Sequence, residues 1–412
     1  MKKKHLKCLS YILLGLCVIV LYGYRLNFTS APYFDELHYT HFFHGFIFQH
    51  IYQLITVHPL LWGLLTWPFI AMFGESMTVW RIVSLLAGLL SIIGVYVLAK
   101  RISQSTLVAL FAVFFFTFDC ISLTQARVAM MNSLCLLWMI LSLYIFLKYW
   151  QAPKGCGNLT LFATGICLGL AASTKLTALS MVLMIHFLFI QKLIKNKENK
   201  FSVLFSGVVL LFILPIIIYF AVYSWMFSLP GCSWHVIWGI QQFNFNYNLK
   251  IAGTQPHPYT SSWWGWPLIL RPIWFYFAHQ KGTVNGILCI GNPAVFWMIP
   301  VMTAYLFWYW VRHGCLAAVG LILFGFLSQW TIYALCPRTT FFHYFYLSMP
   351  FVAMGLAWIC AQLWQKGTMG KTLVSLYMIL VLGMFIYWYP LLTGLTISDE
   401  YYRNHIWFSS WI

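Results

Sequence analysis

Two adjacent carboxylates, Asp35 and Glu36, stand out because the chain has only seven Asp and Glu among its 412 residues. The pattern predicts a short helix from Asp35 to Gln49, in which neighbouring side chains point about 100° apart. Only one of the pair therefore faces a given substrate atom. That carboxylate suits a general base acting on a hydroxyl, a ligand for a hard cation or the partner of a buried Arg. A plain charge at a helix N-terminus is the alternative.

Three cations lie at the ends of predicted helices on the same side as the acidic pair, namely Arg127, Lys175 and Arg338. Each one alone is explained by an ion pair or by snorkelling to the membrane interface. Together, opposite two carboxylates, they favour an anionic, lipid-linked substrate such as a phosphate.

Histidines recur every three residues after the acidic pair, at His38, His41 and His44. With Asp35 they make a zinc site conceivable, although zinc needs three or four convergent ligands and the chain has no HExxH motif. Interfacial histidines facing water are the alternative. The sequence predicts no metal site and leaves room for a divalent cation beside the acidic pair.

The composition predicts a polytopic membrane protein. Hydrophobic residues make up 62% of the chain, charged residues 8%, and the mean hydropathy is +0.80, whereas soluble domains carry about 25% charged residues. Runs long enough to cross a hydrocarbon core of about 30 Å recur throughout. We identify eleven, near residues 8–24, 79–99, 105–123, 128–149, 159–173, 176–194, 202–224, 294–311, 315–334, 345–364 and 372–390.

Basic residues concentrate in alternate short loops, which places the N-terminus in the cytoplasm. Two long segments, residues 25–78 and 224–293, then lie outside. The second is rich in Trp and Tyr, which indicates either an interfacial belt or a platform for a sugar or lipid headgroup. The apolar stretch ending at Phe73 is too short for a confident span and is expected at the interface. Residues 1–412 are expected to form one all-α membrane domain.

The net charge of +17 is explained by cytoplasmic anchoring near anionic membrane lipids. No nucleic-acid partner is therefore predicted.

A series of motifs runs along the chain. The first four are Tyr33-Phe34-Asp35-Glu36-Leu37-His38-Tyr39, Val57-His58-Pro59-Leu60, Gln125-Ala126-Arg127 and Gly169-Leu170-Ala171-Ala172-Ser173-Thr174-Lys175. Downstream follow His257-Pro258-Tyr259 through Arg271-Pro272, Gly291-Asn292-Pro293 and Arg338-Thr339-Thr340-Phe341-Phe342-His343-Tyr344. In this order the motifs resemble those of protein O-mannosyltransferases, and the downstream ones are similar to the bacterial branch. The resemblance spans most of the chain.

This resemblance implies a GT-C glycosyltransferase fold and transfer of mannose from a polyprenyl-phosphate carrier to Ser or Thr of an exported protein. It makes Asp35 the catalytic residue, which we expect to act as a general base. We expect Glu36 and His58 to bind the acceptor or orient neighbours, and Arg127, Lys175 and Arg338 to bind the donor phosphate. The family often has Asp where this chain has Asn132. The chain also lacks the soluble sugar-binding insert of fungal and animal members, which indicates a bacterial-type protein of the inner membrane with a periplasmic active site.

Two other functions remain open at this stage. A transferase of the same fold that glycosylates a lipid, as aminoarabinose transferases of lipid A do, differs mainly in its acceptor. A transporter or flippase is less consistent with the sequence, because the acids gather at one outer face and no inverted repeat is visible.

Overall fold

The computed structural model describes residues 2–49, 57–152, 157–195, 200–248, 257–314 and 317–412. Parts of both predicted outer segments, residues 50–56 and 249–256, lie outside these ranges. Most of the described chain is helical. The helices are α1 Lys2–Gly23, α2 Glu36–Phe48, α3 Leu61–Phe73, α4 Met77–Ser103, α5 Thr106–Thr117, α6 Cys120–Arg127, α7 Asn132–Gln151, α8 Asn158–Thr174, α9 Leu179–Lys195, α10 Lys200–Gly207, α11 Leu214–Tyr223, α12 Trp234–Asn246, α13 Pro293–Phe296, α14 Ile299–Arg312, α15 Ala317–Trp330, α16 Met349–Trp364, α17 Gly367–Thr393 and α18 Asp399–His405.

The predicted membrane spans coincide with helices. Within the described ranges, eight helical segments are long and apolar enough to cross a bilayer: Met77–Ser103, Asn132–Gln151, Leu176–Lys195, Lys200–Ser228, Pro293–Arg312, Ala317–Leu335, Phe342–Trp364 and Gly367–Thr393. A further predicted span is the pair α5 and α6, bent by 63°. The first and fifth predicted runs correspond to shorter apolar helices, Leu13–Gly23 and Asn158–Thr174. The expected helical membrane class is confirmed.

The segments pack so that one end of the bundle carries the polar residues of interest. Helix α16 is almost entirely buried at the centre, while Lys200–Ser228 and Gly367–Thr393 expose most of their side chains. Those exposed faces are apolar, as a surface in contact with lipid must be. The C-terminus of α8 and the N-termini of α2, α7 and α16 meet at the same end through the contacts described below.

The bend between α5 and α6 is fixed by hydrogen bonds. The Asp119 carboxylate caps α6 by accepting from the backbone N–H groups of Ile121 and Ser122, at 3.0 and 3.2 Å. It also accepts from the Asn292 backbone N–H at 3.0 Å. The Asn292 side chain donates to the carbonyls of Phe118 and Val381, both at 2.9 Å. These buried hydrogen bonds of Asp119 and Asn292 set the direction of α6.

A small antiparallel sheet, which the sequence pattern did not predict, lies beside the bundle. Its strands are β1 Ile273–Gln280, β2 Thr283–Cys289 and β3 Thr396–Ser398, in the order β1-β2-β3. Gly282, with φ of 75°, supplies the left-handed conformation that the turn between β1 and β2 needs. The start of β1 is buried against the segment that carries Asp35, so the sheet helps to position the site.

Candidate active site

A cavity of about 320 Å³ brings together residues from distant parts of the chain. It is bordered by the start of α2, by the C-terminal end of α8, and by the two segments that follow α12 and precede α16. The lining side chains are those of Asp35, His38, Tyr39, Phe42, Val57, His58, Lys175, Tyr247, Arg338, Phe341, His343 and Tyr344. Four of the six predicted site residues, Asp35, His58, Lys175 and Arg338, therefore line one cavity.

Asp35 is held at the cavity by the backbone before it. Phe34 has φ of 53°, a left-handed conformation that costs a residue with a side chain about 1 to 3 kcal/mol and persists only where the surroundings enforce it. The Phe34 ring stacks on Phe275 of β1, with ring centroids 4.4 Å apart, and meets His343 edge-on at 5.5 Å. These contacts fix where α2 begins, and hence the direction of the Asp35 side chain.

The surroundings of Asp35 make its carboxylate a stronger base than an exposed carboxylate. Burial raises the pKa of Asp35 above its ordinary value, and the charge of Lys175, His38 and a hydrogen bond from Tyr39 oppose that rise. The Tyr39 hydroxyl donates to Oδ2 of Asp35 at 3.5 Å, a long hydrogen bond. Asp35 is partly exposed, because it opens into the cavity.

Glu36 has a different role from its neighbour. Its carboxylate is fully buried and accepts two hydrogen bonds of 2.8 Å from the Arg81 guanidinium. It also accepts from the backbone N–H of Ala129, at 2.7 Å, and of Tyr33, at 3.2 Å. With these partners Glu36 has no free face for an acceptor, so of its two predicted roles only the orienting one fits. The pair ties α2 to α4 and to the loop before α7.

Two cations face Asp35 across the cavity. The Lys175 ammonium donates to Oδ1 of Asn132 at 2.6 Å and lies 4.9 Å from the centre of the Tyr344 ring. The Arg338 guanidinium donates to the Tyr344 hydroxyl at 2.8 Å and to Oδ1 of Asn248. Within the described ranges neither cation has an ion pair closer than 4.0 Å with a carboxylate. Their charges are therefore available to an anionic ligand.

The pKa of Lys175 is lowered to about 8, mainly by burial. The charge of Arg338 contributes to this decrease, whereas Cys135 and Asp35 oppose it. Burial likewise lowers the pKa of His58 well below its ordinary value, and the nearby charges of Lys175 and Arg338 lower it further. The His58 imidazole is therefore neutral at pH 7. Among its lining residues the cavity thus combines the Asp35 carboxylate with two cations, Lys175 and Arg338, a set able to bind a phosphate and accept a proton.

Asn132 explains how Lys175 is held without a neighbouring carboxylate. Its amide nitrogen donates to Oε1 of Gln125 at 2.6 Å, which turns Oδ1 toward the Lys175 ammonium. A neutral amide orients the ammonium without cancelling its charge. The Asn132 amide thus adds no negative charge next to the lysine.

The expectation that Arg127 belongs to the phosphate site is not supported by the structure. Arg127 ends α6, and its guanidinium donates to the backbone carbonyl of Tyr22 and, at 3.2 Å, to that of Arg25. It is almost fully buried there and does not line the cavity. The bend before α6 brings this helix end against the C-terminal end of α1, where these backbone carbonyls bind the guanidinium.

Sequence reasoning missed several cavity residues: Tyr39, His343 and Tyr344, which belong to the motifs named above, and Tyr247, which does not. They lie in a chain whose residues are 20% aromatic, so no periodic signal separates them from core residues. His343 and Tyr344 were quoted in the Arg338 motif without a role. His343 is 2% exposed and its Nδ1 has no hydrogen-bond partner among the described residues.

The zinc alternative is not supported either. His38 lines the cavity with Asp35, whereas His41 and His44 face away from it. Among the described residues, no three His, Cys, Asp or Glu side chains come together as a metal site requires.

Comparison with known proteins identifies the family. Residues 10–229 match the family model of dolichyl-phosphate-mannose-protein mannosyltransferases, and residues 233–411 match the model of the C-terminal four-span region of protein O-mannosyltransferases. The chain belongs to the dolichyl-phosphate-mannose-protein mannosyltransferase family. As a member of this family it is a glycosyltransferase, and the resemblance expected from its motifs is confirmed.

Bacterial relatives cover nearly the whole chain. The polyprenol-phosphate-mannose--protein mannosyltransferase of Mycobacterium tuberculosis is 25% identical, over 93% of this chain and 87% of that protein. The Corynebacterium glutamicum protein of the same name is 24% identical, over 93% and 89%. This mannosyltransferase family member therefore matches its bacterial relatives along most of their length.

Solved structures share the fold. The protein O-mannosyltransferase Pmt1-Pmt2 complex of S. cerevisiae, solved with its sugar donor bound, matches with a TM-score of 0.85 at 14% identity, covering 100% of this chain and 93% of that chain. ArnT from Cupriavidus metallidurans, bound to undecaprenyl phosphate, matches with a TM-score of 0.64 at 13% identity, covering 93% and 77%. The GT-C membrane glycosyltransferase fold expected for the family is confirmed.

Proposed function

We propose that this protein transfers mannose from a polyprenyl-phosphate carrier to Ser or Thr hydroxyls of exported polypeptides, with inversion at the anomeric carbon. One observation supports the mechanism most directly. A carboxylate with a raised pKa, Asp35, shares a cavity of about 320 Å³ with two cations, Lys175 and Arg338, that have no carboxylate partner among the described residues. A base and an anion site are the two parts that transfer from a sugar phosphate requires.

In the proposed reaction the Asp35 carboxylate takes the proton of the acceptor hydroxyl as its oxygen attacks the anomeric carbon. The bond between that carbon and the phosphate oxygen breaks through an oxocarbenium-like state, and its electron pair leaves with the polyprenyl phosphate. Attack on the face opposite the phosphate inverts the configuration. Because the phosphate is a stable leaving group, it needs no general acid.

Lys175 and Arg338 stabilise the charge that the phosphate gains as this bond breaks. Fixed charges are effective here, because they are already oriented before the charge develops. Both side chains are held in place by neutral partners, Asn132, Asn248 and Tyr344. Glu36 supports the site indirectly by fixing the start of α2 through Arg81.

We place the protein in the bacterial inner membrane, with the N-terminus in the cytoplasm and the cavity on the periplasmic side. The distribution of basic residues supports this orientation. The exported acceptor and the sugar-bearing headgroup of the donor then meet on one side of the membrane. Cysteine accessibility scanning of loop positions in intact cells tests the orientation.

The experiment that tests the function uses purified protein, labelled polyprenyl-phosphate mannose, and either a Ser/Thr peptide or lipid A as acceptor. We expect label on the peptide, with the anomeric configuration of the product opposite to that of the donor. Label on lipid A alone would assign the protein to the lipid-modifying transferases. Retention of configuration would exclude the single displacement by Asp35.

A further inference from the structure

A second cavity, of about 410 Å³, lies beside α2 and has no part in the proposed reaction. Its walls include Leu37, Thr40, His41 and His44 of α2. Trp80, in the first turns of α4, and Glu75, just before α4, complete this side. Glu75 is held in place because its carboxylate contacts Nδ1 of His44, at 3.0 and 3.1 Å, and accepts from the Trp80 indole at 3.2 Å. These contacts fix the orientation of the side chains on this side of the cavity.

The two cavities lie on opposite sides of the same helix. At 100° per residue, positions 35, 38, 39 and 42 project to one side of α2, and positions 37, 40, 41 and 44 project to the other. The first set lines the cavity of Asp35 and the second set lines the larger cavity. Helix α2 is thus a wall that the two cavities share.

The solvent-facing edge of this wall connects the cavities. Glu36 and Phe43 bury the inner side of α2 in the core, so its outer side carries His38 and His41, both exposed. His38 borders the cavity of Asp35 and His41 borders the second cavity. Over the described residues, a chain bound at Asp35 that continues over this edge passes the exposed His38 and His41 and reaches the second cavity.

The charge of the second cavity identifies the kind of occupant. Glu75 is its only carboxylate, and no Lys or Arg lines it among the described residues, so it offers nothing to a phosphate. Apolar surface from Leu37 and Trp80 alternates with imidazole and hydroxyl groups, as in sites that bind apolar side chains and hydrogen-bonding groups together. An extended polypeptide has this mixed character.

We propose that the second cavity binds the acceptor polypeptide on one side of the residue that receives the sugar, with His38, His41 and His44 marking its path. This inference rests on the proposed function, since it deepens the choice of acceptor. A helix with its side chains is about 10 to 12 Å across and an extended chain advances about 3.3 Å per residue. The cavity therefore receives the residues about three to four positions from the modified hydroxyl.

The test compares a peptide of about eleven residues with a central Ser and one of about three residues that cannot span the helix. In the double variant His41→Ala/His44→Ala we expect the KM for the long peptide to rise about tenfold, as the loss of one or two hydrogen bonds implies. The KM for the short peptide and for the donor stays unchanged. His279→Ala is the matched control, because it removes another exposed histidine paired with a carboxylate, Asp399 at 2.9 Å, and should change none of these constants.

In a double variant that keeps the wild-type Tm, equal effects on both peptides, or no effect on either, would overturn the proposal. If the Tm of the double variant is lowered, Leu37→Ala gives the second test, since this side chain is 57% exposed and the same selective loss is expected. Absence of selectivity there counts equally against the proposal. Failure of the wild-type protein to modify any peptide would instead refute the proposed function itself.

Discussion

Replacing Lys175 with Met tests the electrostatic part of the mechanism, because the two side chains have similar volume and only one carries charge. The Lys175 ammonium has a neutral hydrogen-bond partner at 2.6 Å and an aromatic ring at 4.9 Å. Its charge is thus held in a fixed position, with no carboxylate among the described residues within 4.0 Å of it. Removing one preoriented group that stabilises transition-state charge typically lowers kcat about 10²- to 10³-fold, or about 2.7 to 4 kcal/mol. We expect a loss of this size in Lys175→Met.

The pH dependence gives a second and independent measure. The pKa of Lys175 is lowered to about 8, so its charge is present below that pH and is lost above it. The kcat/KM for the donor reports the free enzyme. At one pH unit above the pKa about one-tenth of the molecules still carry the charge, so kcat/KM should fall about tenfold by pH 9. Lys175→Arg keeps its charge at this pH and should lose this basic limb.

The assay is initial-rate transfer of labelled mannose from polyprenyl-phosphate mannose to a Ser/Thr peptide by purified protein, between pH 5 and 10. Lys148→Met is the matched control, because Lys148 also lies over a tyrosine ring, at 4.6 Å from Tyr144, at the other end of α7. It should keep the wild-type rate. A Lys175→Met rate within about threefold of wild type would refute the role of this charge, as would a wild-type profile that stays flat through pH 9.

Two further substitutions test the roles assigned to the other charged residues. Glu36→Gln leaves the Arg81 charge buried without its carboxylate, which typically costs about 3 to 5 kcal/mol; we expect a clear drop in Tm and in activity, and an unchanged Tm would contradict the anchoring role. Arg127→Met removes bonds to backbone carbonyls of the α1 end, so Tm should fall while the donor KM remains within about twofold of wild type. A donor KM raised as strongly as in Lys175→Met would return Arg127 to the phosphate site.

The sequence was sufficient to predict the helical membrane fold, because a helix that crosses the hydrocarbon core needs about 20 consecutive apolar residues, and such runs are visible in the sequence. It also placed the start of α2 at Asp35. The bend within the predicted span 105–123 depends on local hydrogen bonds at Asp119. Asp119 caps a new helix there and the chain turns by 63°, which hydropathy alone does not record.

The same bend helps to explain why Arg127, one of the three predicted cations, does not line the cavity. Arg127, Lys175 and Arg338 all occupy helix ends or their connections, but the direction of each end depends on tertiary hydrogen bonds. Asn292, far along the chain, fixes the direction of α6 through Asp119. A sequence pattern places residues at a membrane level and does not show which of them converge.

The sheet and the aromatic residues of the cavity were missed for a related reason. Strand β1 is rich in aromatic residues, and the same composition is typical of an interfacial belt. Its packing against Phe34 depends on contacts between residues about 240 positions apart. His343 and Tyr344 carry no pattern that separates a cavity-lining ring from a core ring, so only the folded structure assigns them.

The central claim is that Asp35 is the base that activates the acceptor, and the rate of mannose transfer by Asp35→Asn tests it most directly. Asn has nearly the same shape and cannot take the proton. With Tm and donor binding kept at wild-type values, we predict that transfer to the peptide falls by about 10²- to 10⁴-fold. A near-normal rate in this variant would contradict the account.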